Sequence, residues 1–226
     1  MKFNYYYNNV PGHGLCRNNL IYTSLMSEDS QVFVQWYHND TEYHSGKNEV
    51  VDPEKMDEKW QREVKYLTLM PKEYVPEILD IDYNERKIYL KVAGPDFWEQ
   101  AGCLEANYNS VLPDWQEQML EIFRVHKQLG LWKYSLHPSS YFVVDGKLKS
   151  INYFFTYENG EGPITVQDHL SHISQGRRSE MKLKTDAMGI DWATPYDLKT
   201  MQMLTFESFR NNYPQEFIER ARNVFV

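Results

Sequence analysis

The first third of the chain alternates short apolar runs, rich in β-branched and aromatic residues, with polar turns. Residues 19–26 (NLIYTSLM) and 31–37 (QVFVQWY) flank Ser27-Glu28-Asp29-Ser30, which predicts a β-hairpin. Residues 5–7 predict a further strand, followed by a bend at Pro11-Gly12-His13-Gly14. The period then changes. Asp52-Pro53 offers an N-cap and a proline suited to the first helical position. Met56, Trp60, Val64 and Leu67 recur at helical spacing, turning Glu54, Glu58 and Arg62 elsewhere, and Pro71 closes the element. A second hairpin is predicted from 74–83, the turn Asn84-Glu85-Arg86, and 87–92, ending at Ala93-Gly94-Pro95.

Pro113-Asp114 opens a longer helix with Trp115, Met119, Ile122, Phe123, His126 and Leu129 along one stripe, and Gly130 occupies a C-terminal capping position. Residues 141–144 and 148–154 flank Asp145-Gly146, a dipeptide suited to a two-residue hairpin turn. Three helical stripes follow: Val166, Leu170 and Ile173; then Leu198, Met201, Leu204 and Phe209; then Phe217, Ala221 and Val224. Strands come first and helices last. That order predicts an α+β protein in two lobes. Residues 1–93 would form antiparallel strands plus one long helix, and 94–226 a mostly helical lobe with a hairpin near 141–154, packed as one unit.

Composition narrows the function classes. The 226 residues are 42% hydrophobic, with 17 Tyr, 11 Phe and 6 Trp, enough for a core without disulfides or metals. A net charge of -8 argues against nucleic acid, which needs a basic face; Arg177, Arg178, Lys182 and Lys184 read as a solvated stretch. Cys16 and Cys103 lack metal-ligand or redox spacing and read as free thiols in a reducing compartment. The N-terminal residues lack the apolar core of a signal peptide, and no run approaches the roughly 18 apolar residues of a membrane helix. The expectation is a soluble cytoplasmic protein with no membrane contact.

The segment HKQLGLWKYSLHPSSYFVV, from His126 to Val144, resembles the catalytic-loop region of protein kinases, where a helix ending in Leu-His-x-x-Gly precedes His-Arg-Asp-Leu-Lys-Pro-Glu-Asn and a short apolar strand. Counting from Gly130, Lys133-Tyr134-Ser135 falls on His-Arg-Asp, Leu136 and Pro138 match, His137 falls on the Lys and Ser140 on the Asn. Ile151-Asn152-Tyr153-Phe154 falls where Ile-Asp-Phe-Gly is expected. Upstream, Val32-Phe33-Val34-Gln35 is similar to Val-Ala-Ile-Lys, with Gln35 in place of the Lys. Glu63 is the candidate for the lysine's helical partner, and Val92-Ala93-Gly94-Pro95 for the hinge between lobes. Gly12-His13-Gly14 is at most a remnant of the glycine-rich loop. The resemblance runs from about Asn19 to Phe154.

It implies a degenerate member of the kinase-like superfamily, a pseudokinase. Phosphoryl transfer needs a carboxylate at the attacking hydroxyl, anionic ligands for Mg²⁺ and a lysine on the phosphates. Ser135, Ser140, Asn152 and Gln35 supply none of these, so no catalytic residue and no metal site are expected. Gln35, Glu63, Val92, Ala93 and Asn152 would line a vestigial nucleotide cleft with no cofactor. Residues 156–162 (TYENGEG) give way to a helix near Pro163, which leaves little of a substrate platform. The other candidates have ordinary readings: Asp145 as a turn former, His126 as a core histidine, His137 as a surface one, and Asp80 and Asp82 as outward carboxylates. A binding or regulatory module with a protein partner is the first expectation. The alternatives are an atypical ATP- and Mg-dependent phosphotransferase with a rebuilt site, and an unrelated α+β interaction protein.

Overall fold

A computed structural model of the chain describes residues 1–6, 22–38, 53–133, 135–158 and 212–225. Five strands form one antiparallel sheet: β1 (Phe3–Tyr5), β2 (Thr23–Ser27), β3 (Val32–Trp36), β4 (Ile78–Asp82) and β5 (Lys87–Lys91), in spatial order β1-β2-β3-β5-β4. The predicted first hairpin is β2–β3, in register from Thr23↔Trp36 to Met26↔Phe33. Its turn is tied by Ser27, whose Oγ accepts the Val32 N–H at 2.9 Å and donates to Asp29 Oδ1 at 2.6 Å. The second hairpin is β4–β5. In its turn Asp82 Oδ1 accepts the N–H groups of Asn84 and Glu85, each at 2.9 Å. Aspartate and serine suit these places because their short polar side chains bond nearby backbone: Asp82 reaches two and three residues on, and Ser27 five, across its turn.

Between β3 and β4 the chain forms α1 (Pro53–Leu69). Met56, Trp60 and Leu67 are buried as the helical spacing predicts, and Val64 is half-buried. After β5, α2 (Phe97–Gln100) is capped by Asp96, whose carboxylate accepts the Trp98 and Glu99 N–H groups. Then come α3 (Tyr108–Val111) and α4 (Trp115–Gln128), the latter burying Trp115, Met119, Ile122, Phe123 and His126. Leu129 departs from the predicted stripe: it caps the helix and is 40% exposed, because the chain turns away at Gly130, where φ is +67°.

Four short strands follow: β6 (Leu131–Lys133), β7 (Tyr141–Val144), β8 (Lys147–Ser150) and β9 (Thr156–Glu158). Asp145 (φ +51°) and Gly146 (φ +70°) make the two-residue turn joining β7 to β8, as positive φ at both positions requires. One expectation is corrected here, and the helix expected from about Pro163 lies outside the described residues. The strand predicted over 148–154 ends at Ser150, because Asn152 adopts φ +67° and the next residues form a 3-10 turn. The segment beginning at Thr156 starts as a strand paired antiparallel with β6, an element the sequence did not announce. The last described element is α5 (Gln215–Phe225), with Phe217 and Ala221 buried against α4 and Val224 partly buried. The expectations at Gly12 and Gly14, Cys16, the basic cluster from Arg177 to Lys184, and the stripes starting at Val166 and Leu198 lie outside the described residues.

The described residues thus form an α+β structure with two hydrophobic clusters. One joins the inner sheet face (Met26, Phe33, Ile88, Leu90) to α1 and to Phe142, Ile151, Tyr153 and Phe154. The other gathers Phe97, Tyr108, Trp115, Phe123, Tyr141 and Phe217. No helix among the described residues is long and apolar enough to cross a membrane.

Candidate functional site

Side chains alternate across a strand, so Phe33 and Gln35 of β3 share the inner face of the sheet. Both are fully buried. Glu63 lies three residues after Trp60 and four before Leu67, which turns its carboxylate inward with them. It is fully buried too. Asn152 holds a left-handed backbone conformation that asparagine tolerates better than most residues. Ser140 ends a 3-10 turn (Pro138–Ser140), and its carbonyl accepts the Ile151 N–H at 2.9 Å, bringing Asn152 alongside.

These residues meet. Gln35 Nε2 donates to Asn152 Oδ1 at 3.2 Å, and the Tyr22 hydroxyl donates to the same oxygen at 2.5 Å. Asn152 Nδ2 donates to Ser140 Oγ at 2.8 Å, and Ser140 Oγ lies 3.0 Å from Ser135 Oγ. The Glu63 carboxylate accepts the backbone N–H of Asn152 on Oε1 and that of Phe154 on Oε2, both at 2.9 Å. Glu63 therefore fastens α1 to the turn that follows β8. Gln35 Oε1 is buried with no partner among the described residues. The amide cannot gain by flipping, since its oxygen would then face Asn152 Oδ1.

Lys133 completes the electrostatics. It is 2% exposed, donates to the Ser135 carbonyl, and holds its Nζ 5.3 Å from the Tyr153 ring centroid and 5.4 Å from that of Tyr141. Burial pushes the Glu63 carboxyl up, to about 7, against the pull of Lys133 and of its N–H donors. Burial pushes the Lys133 ammonium down, to about 7, against the pull of Glu63. Each charge is expensive to bury and each supports the other. Tyr37, also fully buried, has its phenol held well above the usual range by burial and by Glu63. Next to Lys133, His126 Nε2 lies 3.1 Å from the Tyr153 hydroxyl while Nδ1 is buried without a partner among the described residues, so the core histidine expected here is half-satisfied.

The space between β3 and the β7–β8 hairpin is occupied by the protein's own rings. Phe33 and Phe142 have centroids 5.0 Å apart, and Tyr6 meets Phe33 edge-on at 5.9 Å. The Tyr6 hydroxyl bonds Asp96 Oδ2 at 2.9 Å and also Glu99, and it accepts the Asp96 N–H at 3.0 Å. Tyr22 packs on Phe154 at 5.9 Å.

Of the predicted site residues, Gln35, Glu63, Ser135, Ser140 and Asn152 come together. Val92 and Ala93 do not join them: Val92 packs in the first cluster and its N–H is used by the Gln31 carbonyl at 2.9 Å, while Ala93 is exposed. His137 is a local cap, its Nδ1 accepting the Ser139 N–H at 3.1 Å, with its ring 4.7 Å from Trp98. Sequence reasoning missed Tyr22, Tyr6 and the burial of Lys133. Among the described residues no three His, Cys, Asp or Glu side chains gather as metal ligands would. The arrangement offers two buried carboxylates, Glu63 and Asp96, and one buried lysine, all already bonded, with neutral amides and hydroxyls. The chain matches no family model and no curated protein.

Proposed function

We propose that this chain is a protein-kinase-like protein that has lost phosphoryl transfer and acts as a binding or regulatory module. One observation carries the reading. Gln35 and Asn152, 117 positions apart in sequence, are hydrogen-bonded inside the molecule, with Glu63 and Ser140 bonded to the same asparagine. These are the positions where the resemblance expects the phosphate lysine, its glutamate partner, the metal-binding asparagine and the metal-binding aspartate. Their convergence is what a shared origin for the motifs requires, and it follows from none of the motifs alone. The helix between the third and fourth strands, bonded through Glu63 to the turn at Asn152, supports the same reading.

The chemistry supports the negative half. Transfer needs a base, anionic metal ligands and a cation on the phosphates. A positioned general base alone contributes about 10²–10⁴ in rate. Here the polar groups are turned on one another, and Phe33, Phe142 and Tyr6 fill the adjoining space. A ligand entering it would have to displace buried aromatic rings. The test is transfer of labelled γ-phosphate from ATP with Mg²⁺ or Mn²⁺, to the chain itself or to a generic protein substrate. None is expected. Transfer that disappears in Asn152→Ala overturns the reading.

A second reading has one observation in its favour. Lys133 brings a cation toward Glu63 from a new position, as a rebuilt phosphotransferase site would need. Its ammonium, however, is given to the Ser135 carbonyl and enclosed by two tyrosine rings. Transfer lost in Lys133→Met but kept in Gln35→Ala would favour this reading.

A further inference from the structure

Away from this cluster, α5 crosses α4. Phe217 packs on Trp115 at 4.7 Å, and Arg220 bonds Gln116 at 2.7 Å and Glu117. Alongside these contacts the two helices leave a groove of about 620 Å³. Its apolar floor is the half-buried Val224, lying over Leu120, which is only 2% exposed. Three cations line it: Arg124 and Lys127 from α4, and Arg220 from α5. Two amides, Gln128 and Asn223, complete the lining, and no carboxylate is part of it.

In a chain of net charge -8 the lining carries three cations and no carboxylate, with Glu117 and Glu121 flanking it. Arg124 pairs with Glu121 at 2.8 Å and Arg220 with Glu117, in pairs with side chains between 36% and 63% exposed. Such pairs contribute little and exchange partners readily. Lys127 is exposed and makes no ion pair with a described residue. It lies in the last turn of α4, where a cation also offsets the helix dipole. That ordinary role accounts for Lys127 alone. It accounts neither for Arg220 arriving from a second helix nor for the aliphatic floor between them.

The geometry points to the α4–α5 groove as a docking site for an acidic peptide segment of a partner protein, with an aliphatic side chain on Val224 and flanking carboxylates on Arg124, Lys127 and Arg220. Complementary charge recruits the partner and the apolar floor selects it. A nucleic-acid backbone fits less well: it carries no aliphatic group for the floor, and the surrounding chain is acidic. The inference is independent of the kinase-like reading.

The test uses the full chain and a fluorescein-labelled peptide of glutamates around one leucine, followed by anisotropy at low salt. Saturable binding is expected with a dissociation constant of about 10–1,000 μM, weakening as salt rises. Lys127→Glu should weaken it roughly five- to tenfold, with a fall in melting temperature of at most a few degrees from the lost helix-dipole contact, while Lys127→Arg retains it. Replacing the peptide's leucine by serine should also weaken it. Because Arg220 also braces α5, its charge reversal is read only alongside a melting curve. Absence of saturation, or equal binding by Lys127→Glu, overturns the proposal. An oligothymidylate that binds the groove more tightly than the peptide also overturns it, in favour of a nucleic acid.

Discussion

The backbone N–H of Asn152 lies 2.9 Å from Oε1 of Glu63, and the second carboxylate oxygen takes the N–H of Phe154 at the same distance. A helix residue and a turn residue 89 positions apart are thereby fixed to each other inside the core. Glu63 cannot be exchanged for an apolar side chain without leaving two buried donors unmet, each a loss of about 1–3 kcal/mol.

Lys133 is the charge that makes Glu63 tolerable, and the converse holds. The two are not in ion-pair contact, so without Lys133 the buried Glu63 takes up a proton more readily rather than staying charged. Lys133→Met is expected to destabilise the chain by about 1–3 kcal/mol, through the lost bond to the Ser135 carbonyl and the lost charge coupling. Glu63→Gln added to it should cost less than the sum of the two single changes, with a coupling above roughly 0.5 kcal/mol. Denaturant unfolding of the four proteins of the cycle measures it. Strict additivity would mean that the two charges ignore each other.

Phe33 fills the space between β3 and Phe142. Phe33→Ala should cost about 3–5 kcal/mol, the range for emptying a buried aromatic site. Phe33→Leu, which keeps most of the volume, should cost clearly less. A loss below about 1 kcal/mol for the alanine variant would mean that the ring is not packed as described.

Much of the fold was legible because period and burial agree. The β2–β3 hairpin, α1, α4 and the Asp145-Gly146 turn follow from local patterns whose apolar faces are the buried ones. What was illegible is non-local. Leu131–Lys133 is too short to declare itself a strand, and only its pairing with Thr156–Glu158 makes it one. Asn152 ends β8 through a positive φ that its apolar neighbours, Ile151 and Tyr153, conceal. In the site, Gln35, Glu63, Ser135, Ser140 and Asn152 were legible through spacing measured against a known pattern, since each is unremarkable alone. The burial of Lys133 was not, because a lysine next to a loop is ordinarily solvated. Tyr6 reaches Asp96 across 90 positions, a contact that no local rule reveals.

His126 gives the chain an acid-sensitive term. Burial, with Lys133 adding to it, pulls its imidazole down to about 3. The unfolded chain takes up the proton near pH 6.5 and the folded chain does not. The contribution is therefore fully present above about pH 6.5 and is lost as pH falls toward 3, by about 1.4 kcal/mol per pH unit. His126→Phe removes this term. The stability gap between wild type and variant should shrink steadily below pH 6, as read by urea unfolding across pH. A gap that stays constant from pH 7 to 4 would show that the imidazole titrates alike in both states.

The central proposal is that Gln35, Glu63, Ser140 and Asn152, bonded to one another, no longer take a nucleotide. A ligand that binds only the folded chain, at about 100 times its dissociation constant, adds about 2.7 kcal/mol, which is several degrees of melting temperature in a chain of this size. The direct measurement is the melting temperature with millimolar ATP, ADP or GTP, with and without Mg²⁺ or Mn²⁺. The account predicts an unchanged melting temperature in every arm. A metal-dependent rise of several degrees, abolished by Asn152→Ala, would contradict it.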